Sequence, residues 1–215
     1  MKLFLDSAIV SEIDERLNTG VISGVTTNPT LIKRSGREPD DVYADLIKDI
    51  GVTDLSIEVN GMDSHTLILN GIKYTELWKN EATIKLPCNV EGIKACRTLS
   101  FMGVRVNMTL VFSVEQAILC ALAGATYVSP FIGRLDDNGE DGIGLIQDIS
   151  EAFTKHEMKT KILAASIRDS ATVGSAFASG AYICTVPVKV FDDMFRHPLT
   201  DSGLAQFYLD SGQTS

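Results

Sequence analysis

ATIKLP, residues Ala82 to Pro87, has the period of a strand, with Ile84 and Leu86 on one side and Thr83 and Lys85 on the other. A lysine at the centre of such a run is chemically conspicuous. Ammonium groups are rarely buried without a partner, because an unpaired charge in a low-dielectric interior gives up its proton instead. The plain alternative is an edge-strand lysine that reaches water. The rest of the chain bears on which of the two holds.

Seven more short apolar or β-branched runs flank this one: LFLD (3–6), GVTT (24–27), LSIEV (55–59), VRVNM (104–108), TYVSPF (126–131), KILAAS (161–166) and YICTV (182–186). Amphipathic stretches with the helical period lie between them, among them DDVYADLIKDI, SVEQAILCALAG and GIGLIQDISEAF. Several begin after Ser, Asp or Asn and stop at Gly, as at Ser113 and Gly124 or Ser170 and Gly180. Strand-helix alternation of this kind predicts parallel strands joined by crossover helices. Eight units predict a closed (β/α)8 barrel, a TIM barrel, with a short extra C-terminal helix around LAQFYLD. A doubly wound open sheet is the other arrangement, but no G-x-G-x-x-G opens a helix after the first strand. No linker or internal duplication divides residues 1–215, so one barrel domain is expected.

The formal net charge of −9 argues against nucleic-acid and anionic-membrane surfaces, so an anionic ligand must be held by a local basic cluster. With no apolar signal run before the first strand and no 20-residue apolar stretch, a cytoplasmic protein is expected. Cys88, Cys96, Cys120 and Cys184 lack C-x-x-C spacing and the three histidines are scattered, which predicts reduced cysteines and no metal site.

Reacting groups in such barrels sit where the strands end. Those places carry Asp6, then Thr26, Thr27 and Asn28, then Glu58, Lys85, Asn107 with Thr109, Ser129 and Ser166. One such residue is commonly a cap, but polar ends on seven of eight strands point to a shared site. An amine with two carboxylates in a shielded pocket suits imine chemistry. Burial favours the unprotonated amine that attacks a carbonyl, and a carboxylate can carry the protons that must move as water leaves. Lys85 is therefore expected as nucleophile. Arg134 follows strand six, and Ser166 and Arg168 stand in ASIRDS after strand seven, ahead of a helix start. Guanidinium forks and a helix N-terminus suit a phosphate.

LDSA, GVTTNPT, SIEV, TIKLP, NMTLVFS, SPFIGRLDD and AASIRD resemble, in order and spacing, the motifs of small transaldolases and the related fructose-6-phosphate aldolases. The resemblance runs from Leu3 to TVP in strand eight. It implies a barrel enzyme of the pentose phosphate pathway that needs neither metal nor other cofactor. It implies Lys85 as the Schiff-base lysine, Asp6 as acid and base at the cleaved carbon–carbon bond, and Glu58 working with Thr109 and a water. Asn28, Asn107 and Ser129 would hold the dihydroxyacetone hydroxyls, and Arg134, Ser166 and Arg168 the phosphate.

Transaldolases move a dihydroxyacetone unit from fructose 6-phosphate or sedoheptulose 7-phosphate to erythrose 4-phosphate or glyceraldehyde 3-phosphate; the aldolases release the unit free. Aldolase-type members carry glutamine where this chain has Glu58 and tyrosine where it has Phe131, so the resemblance favours transfer. It also implies a homo-oligomer, a decamer in the family's pattern of C-terminal helices between subunits; the tail after Gly203 is short beside that pattern. The residue after Pro87 departs too, with Cys88 and Asn89 where the family more often has others. Competing readings are the aldolase, a barrel isomerase with Glu58 as base, and a non-catalytic phosphosugar-binding barrel. The isomerase leaves Lys85 without a task, and a degenerate barrel would be expected to have lost Lys85, Asp6 or Glu58.

Overall fold

Each run picked out by its period forms a parallel strand, and the computed structural model describes residues 1–212. The strands are β1 (Lys2–Asp6), β2 (Ile22–Thr26), β3 (Leu55–Glu58), β4 (Ala82–Pro87), β5 (Val106–Val111), β6 (Tyr127–Pro130), β7 (Lys161–Ala164) and β8 (Ile183–Val186). They hydrogen-bond in chain order and β1 closes on β8, giving the expected (β/α)8 barrel. The helices around it are α1 (Val10–Leu17), α2 (Pro29–Ser35), α3 (Pro39–Ala44), α4 (Ser64–Trp78), α5 (Val90–Phe101), α6 (Val114–Leu122), α7 (Ile132–Asp137), α8 (Gly142–Lys155), α9 (Ser170–Ala178), α10 (Val188–Asp193) and α11 (Pro198–Asp210). Among the described residues no helix is long and apolar enough to cross a membrane.

Local chemistry sets the helix starts. Asn28, Asp63, Asn89, Ser113, Asp141 and Asp169 each accept a first-turn backbone N–H, and Pro29, Pro39 and Pro198 open helices where no N–H is required. Ser113 caps α6 as expected, whereas the cap of α9 is Asp169 and Ser170 is already helical. α2 and α7 were not legible as helices, and α11 starts well before LAQFYLD. β5 begins at Val106 instead of Val104 and runs on to Val111, which brings Thr109 inside the strand.

Strand side chains divide the core in two. Leu5, Val25, Ile57, Ile84, Leu86, Met108, Val128, Cys184 and Val186 point outward into one cluster beneath the helices. Phe4, Tyr127, Leu163, Ala165 and Ile183 form a second cluster, with Phe131 against it. Phe4 has room because Gly24 has no side chain, and a Cβ there would stand 2.6 Å from the Phe4 ring and from the Asp54 carbonyl. Beside this plug Asp54 accepts hydrogen bonds from Thr83 (2.8 Å), Tyr127 (2.7 Å) and Arg105 (2.9 Å). With the plug below, the polar side chains farther along the strands face an open mouth. The cysteines are free, and burial pushes the Cys96 thiol up to about 11.

Candidate active site

Register places the polar residues side by side. Glu58 on β3 pairs with Lys85 on β4, Lys85 with Asn107 on β5, and Asp6 on β1 with Thr26 on β2. A cavity of about 580 Å³ opens over them. Every residue expected to act lines it: Asp6, Asn28, Glu58, Lys85, Asn107, Thr109, Ser129, Phe131, Arg134, Ser166 and Arg168.

Lys85 is only 5% exposed, so the edge-strand alternative fails. Its Nζ stands 3.0 Å from Glu58 Oε2 and donates to the Thr27 carbonyl at 3.1 Å. Those two partners satisfy a buried ammonium that would otherwise be costly, and the carboxylate lies within reach of its proton. Asp6 accepts from Thr26 Oγ1 at 2.7 Å, and that hydroxyl also meets Thr185 Oγ1 at 2.6 Å. Burial pushes the Asp6 carboxyl above the usual range, opposed by the Lys85 charge and the Thr26 hydrogen bond. The buried carboxyl therefore holds its proton more tightly than a solvated one would.

Asn107 is fully buried; its Nδ2 donates to Ser56 Oγ at 3.2 Å and its Oδ1 accepts from Ser129 Oγ at 2.7 Å. Asn28 lines the cavity and spends Oδ1 on the Leu31 N–H as the α2 cap, a bond that leaves its amide nitrogen unused. Thr109 Oγ1 is buried with no partner among the described residues. A bulge in the β5–β6 pairing after Met108 holds Leu110 at a φ of 59°, a left-handed conformation costing about 1–3 kcal/mol for a leucine.

Phe131, between β6 and α7, has its ring edge-on to Phe112 at 5.9 Å, and the Arg134 guanidinium lies 4.9 Å from its centroid. Ser166 is also left-handed, at a φ of 62°. Its carbonyl crowds Gly133 so closely that a Cβ there would stand 2.0 Å away, which brings Arg134 on α7 beside Ser166 and Arg168. Arg168 is ion-paired with Asp137 at 2.6 Å, both exposed. At the helix start expected to favour an anion, Asp169 caps α9 by accepting the Thr172 N–H. Arginine side chains remain as the basic component of this wall.

Thr26, one of the polar strand ends, lines the cavity too, as do Arg34 and Thr185, which were not singled out. Thr185 was legible as the polar residue of YICTV, facing opposite to Cys184 and Val186. Arg34 was hidden because no helix was read after Asn28. Among the described residues no three His, Cys, Asp or Glu side chains gather into a possible metal site.

A family model described as Transaldolase/Fructose-6-phosphate aldolase matches residues 3–213. The probable transaldolase of Symbiobacterium thermophilum is 49% identical over 210 residues, 98% of this chain and 96% of its own length. That of Carboxydothermus hydrogenoformans is 46% identical over 210 residues, covering 98% and 97%. The probable transaldolase of Clostridium acetobutylicum matches at 46% with the same coverage. Motifs, barrel and full-length similarity agree that this chain belongs to the transaldolase/fructose-6-phosphate aldolase family.

Proposed function

We propose that the protein is a transaldolase of the pentose phosphate pathway that carries dihydroxyacetone from a ketose phosphate to an aldose phosphate as an imine on Lys85. The observation that carries this reading is the buried Lys85 amine, 3.0 Å from Glu58 in the cavity that Asp6 also lines.

Lys85 passes a proton to Glu58 and attacks the C2 carbonyl of the ketose. The carbinolamine then loses water, with Glu58 and Thr109 handling that water and its protons. Asp6 takes the proton of the C4 hydroxyl, the C3–C4 bond breaks, and its electron pair moves into the iminium to leave an enamine. The first aldose phosphate departs. An incoming aldose aldehyde accepts the enamine carbon, Asp6 returns its proton to the new hydroxyl, and water releases the new ketose from Lys85. Asn28, Asn107 and Ser129 hold the hydroxyls of the three-carbon unit. Arg134, Ser166 and Arg168 take the phosphate, which competes with Asp137 for Arg168.

Phe131 favours transfer over release. Its ring, backed by Phe112, offers no proton to the enamine, so the intermediate survives until an acceptor arrives. Fructose-6-phosphate aldolase activity is the second reading, since the family description names it too. The exposed apolar side chains of α11, Leu199, Leu204, Phe207 and Leu209 among them, support a homo-oligomer.

Borohydride added with fructose 6-phosphate should inactivate the protein and label the peptide containing Lys85. Without borohydride, ketose formation from glyceraldehyde 3-phosphate or erythrose 4-phosphate as acceptor should far outpace release of free dihydroxyacetone. Labelling only at exposed Lys189, outside the cavity, would overturn the imine assignment, and release as fast as transfer would move the protein to the aldolase reading.

A further inference from the structure

Arg34 lies in the last turn of α2, one helical turn beyond Thr30, and both side chains line the cavity. In a closed ring of eight strands, β2 stands diametrically across from β6, the strand that leads to Arg134. Arg34 thus approaches the mouth from the wall facing Arg134 and Arg168. Arg37, next along the chain among the arginines, is paired with Asp45 at 2.7 Å, and Arg168 is committed to Asp137. Arg34 is exposed and has no carboxylate within ion-pair distance among the described residues. A cation near a helix C-terminus is favoured by the helix dipole, but Lys33 meets that preference while Arg34 faces the cavity.

We propose that Arg34 is a specificity-determining residue, a third guanidinium that clamps the substrate's phosphate from α2. This deepens the reading of the site as one for sugar phosphates and rests on it. A phosphate carries up to two negative charges and several acceptor oxygens, so it can take a guanidinium from each wall at once. The carbon chain, anchored at Lys85, would then be held at its phosphate end from two sides of the mouth.

Glycerol 3-phosphate has the phosphate and hydroxyls but no carbonyl, so it cannot form an imine and reads the clamp alone. Calorimetric titration should show Arg34→Ala binding it about tenfold more weakly than wild type or worse, the range of a charge-assisted hydrogen bond, with Arg34→Lys in between. Arg37→Ala, a neighbouring exposed charge that does not line the cavity, should bind like wild type. Inorganic phosphate should follow the same order, and glycerol should not distinguish the variants. In transfer assays the loss should fall on KM for glyceraldehyde 3-phosphate and leave KM for unphosphorylated glyceraldehyde unmoved. The clamp is overturned if Arg34→Ala binds within twofold of wild type, if Arg37→Ala loses as much, or if wild type does not bind glycerol 3-phosphate. Weakened binding in Arg34→Ala with no transfer by wild type would leave the clamp standing and remove the transaldolase reading.

Discussion

Asp6 shows how a single residue's environment can serve chemistry at the expense of stability. Its carboxyl is held above the usual range chiefly by burial, so the native state binds its proton more tightly than the unfolded chain does. Stability from this group is therefore fully present below the unfolded value near 4 and is lost as pH rises through the folded value. Asp6→Asn keeps the shape and removes the charge. At pH 7 it should melt above wild type, by about 2–4 °C for each kcal/mol regained, and the gap should close as pH falls toward 4. Transfer activity should drop by roughly 10²–10⁴, the range of a lost acid–base group. Paired calorimetric scans at pH 7 and 4 check the sign, and a variant that melts below wild type at pH 7 contradicts it. Lys85 was legible for a related reason, because a charge inside a period-2 apolar run conflicts with burial unless something pairs it. Which group pairs it was not legible: the pattern offered two carboxylates, Asp6 and Glu58, without choosing between them, and the Thr27 carbonyl leaves no mark in the side-chain pattern.

Among the elements, the strands were easy to read and the short helices at the mouth were not. Apolar alternation and capping residues announce β4 or α6, whereas α2 and α7 span barely two turns and follow directly on strand ends whose residues serve the site. Those two helices carry Arg34 and Arg134 on facing sides of the mouth, and of the two only Arg134 was read from the sequence. Gly133 makes the placement of α7 possible, because any Cβ would collide with the Ser166 carbonyl. Gly133→Ala should push α7 from the β7–α9 loop at a cost of about 1–3 kcal/mol, measured by urea denaturation. KM for phosphorylated donors should rise several-fold while borohydride labelling of Lys85 persists at saturating donor. Unchanged KM would mean that Arg134 does not depend on this contact.

At the scale of the whole barrel, α11 leaves an apolar surface uncovered. No residue of α11 is buried, and Phe207, Leu199 and Leu209 are each more than 70% exposed, an unusual load of apolar surface for one helix. Light scattering should therefore find an oligomer in solution, with the paired change Leu204→Asp and Phe207→Asp shifting it to smaller species; a monomeric wild type would show that α11 has no subunit to cover it. Barrel closure has a consequence for synthesis as well. β1 bonds to both β2 and β8, and β8 ends at Val186, so one side of β1 stays unpaired until nearly the whole barrel has been translated. At about 5–20 residues per second that interval lasts on the order of ten to forty seconds. Lys2 and Asp6 bracket the apolar Leu3, Phe4 and Leu5 throughout that time, as charges bracket edge strands that must not pair with strangers. The carboxylate proposed to move protons in the finished enzyme thus already stands as a charge at the end of the nascent strand before any cavity exists.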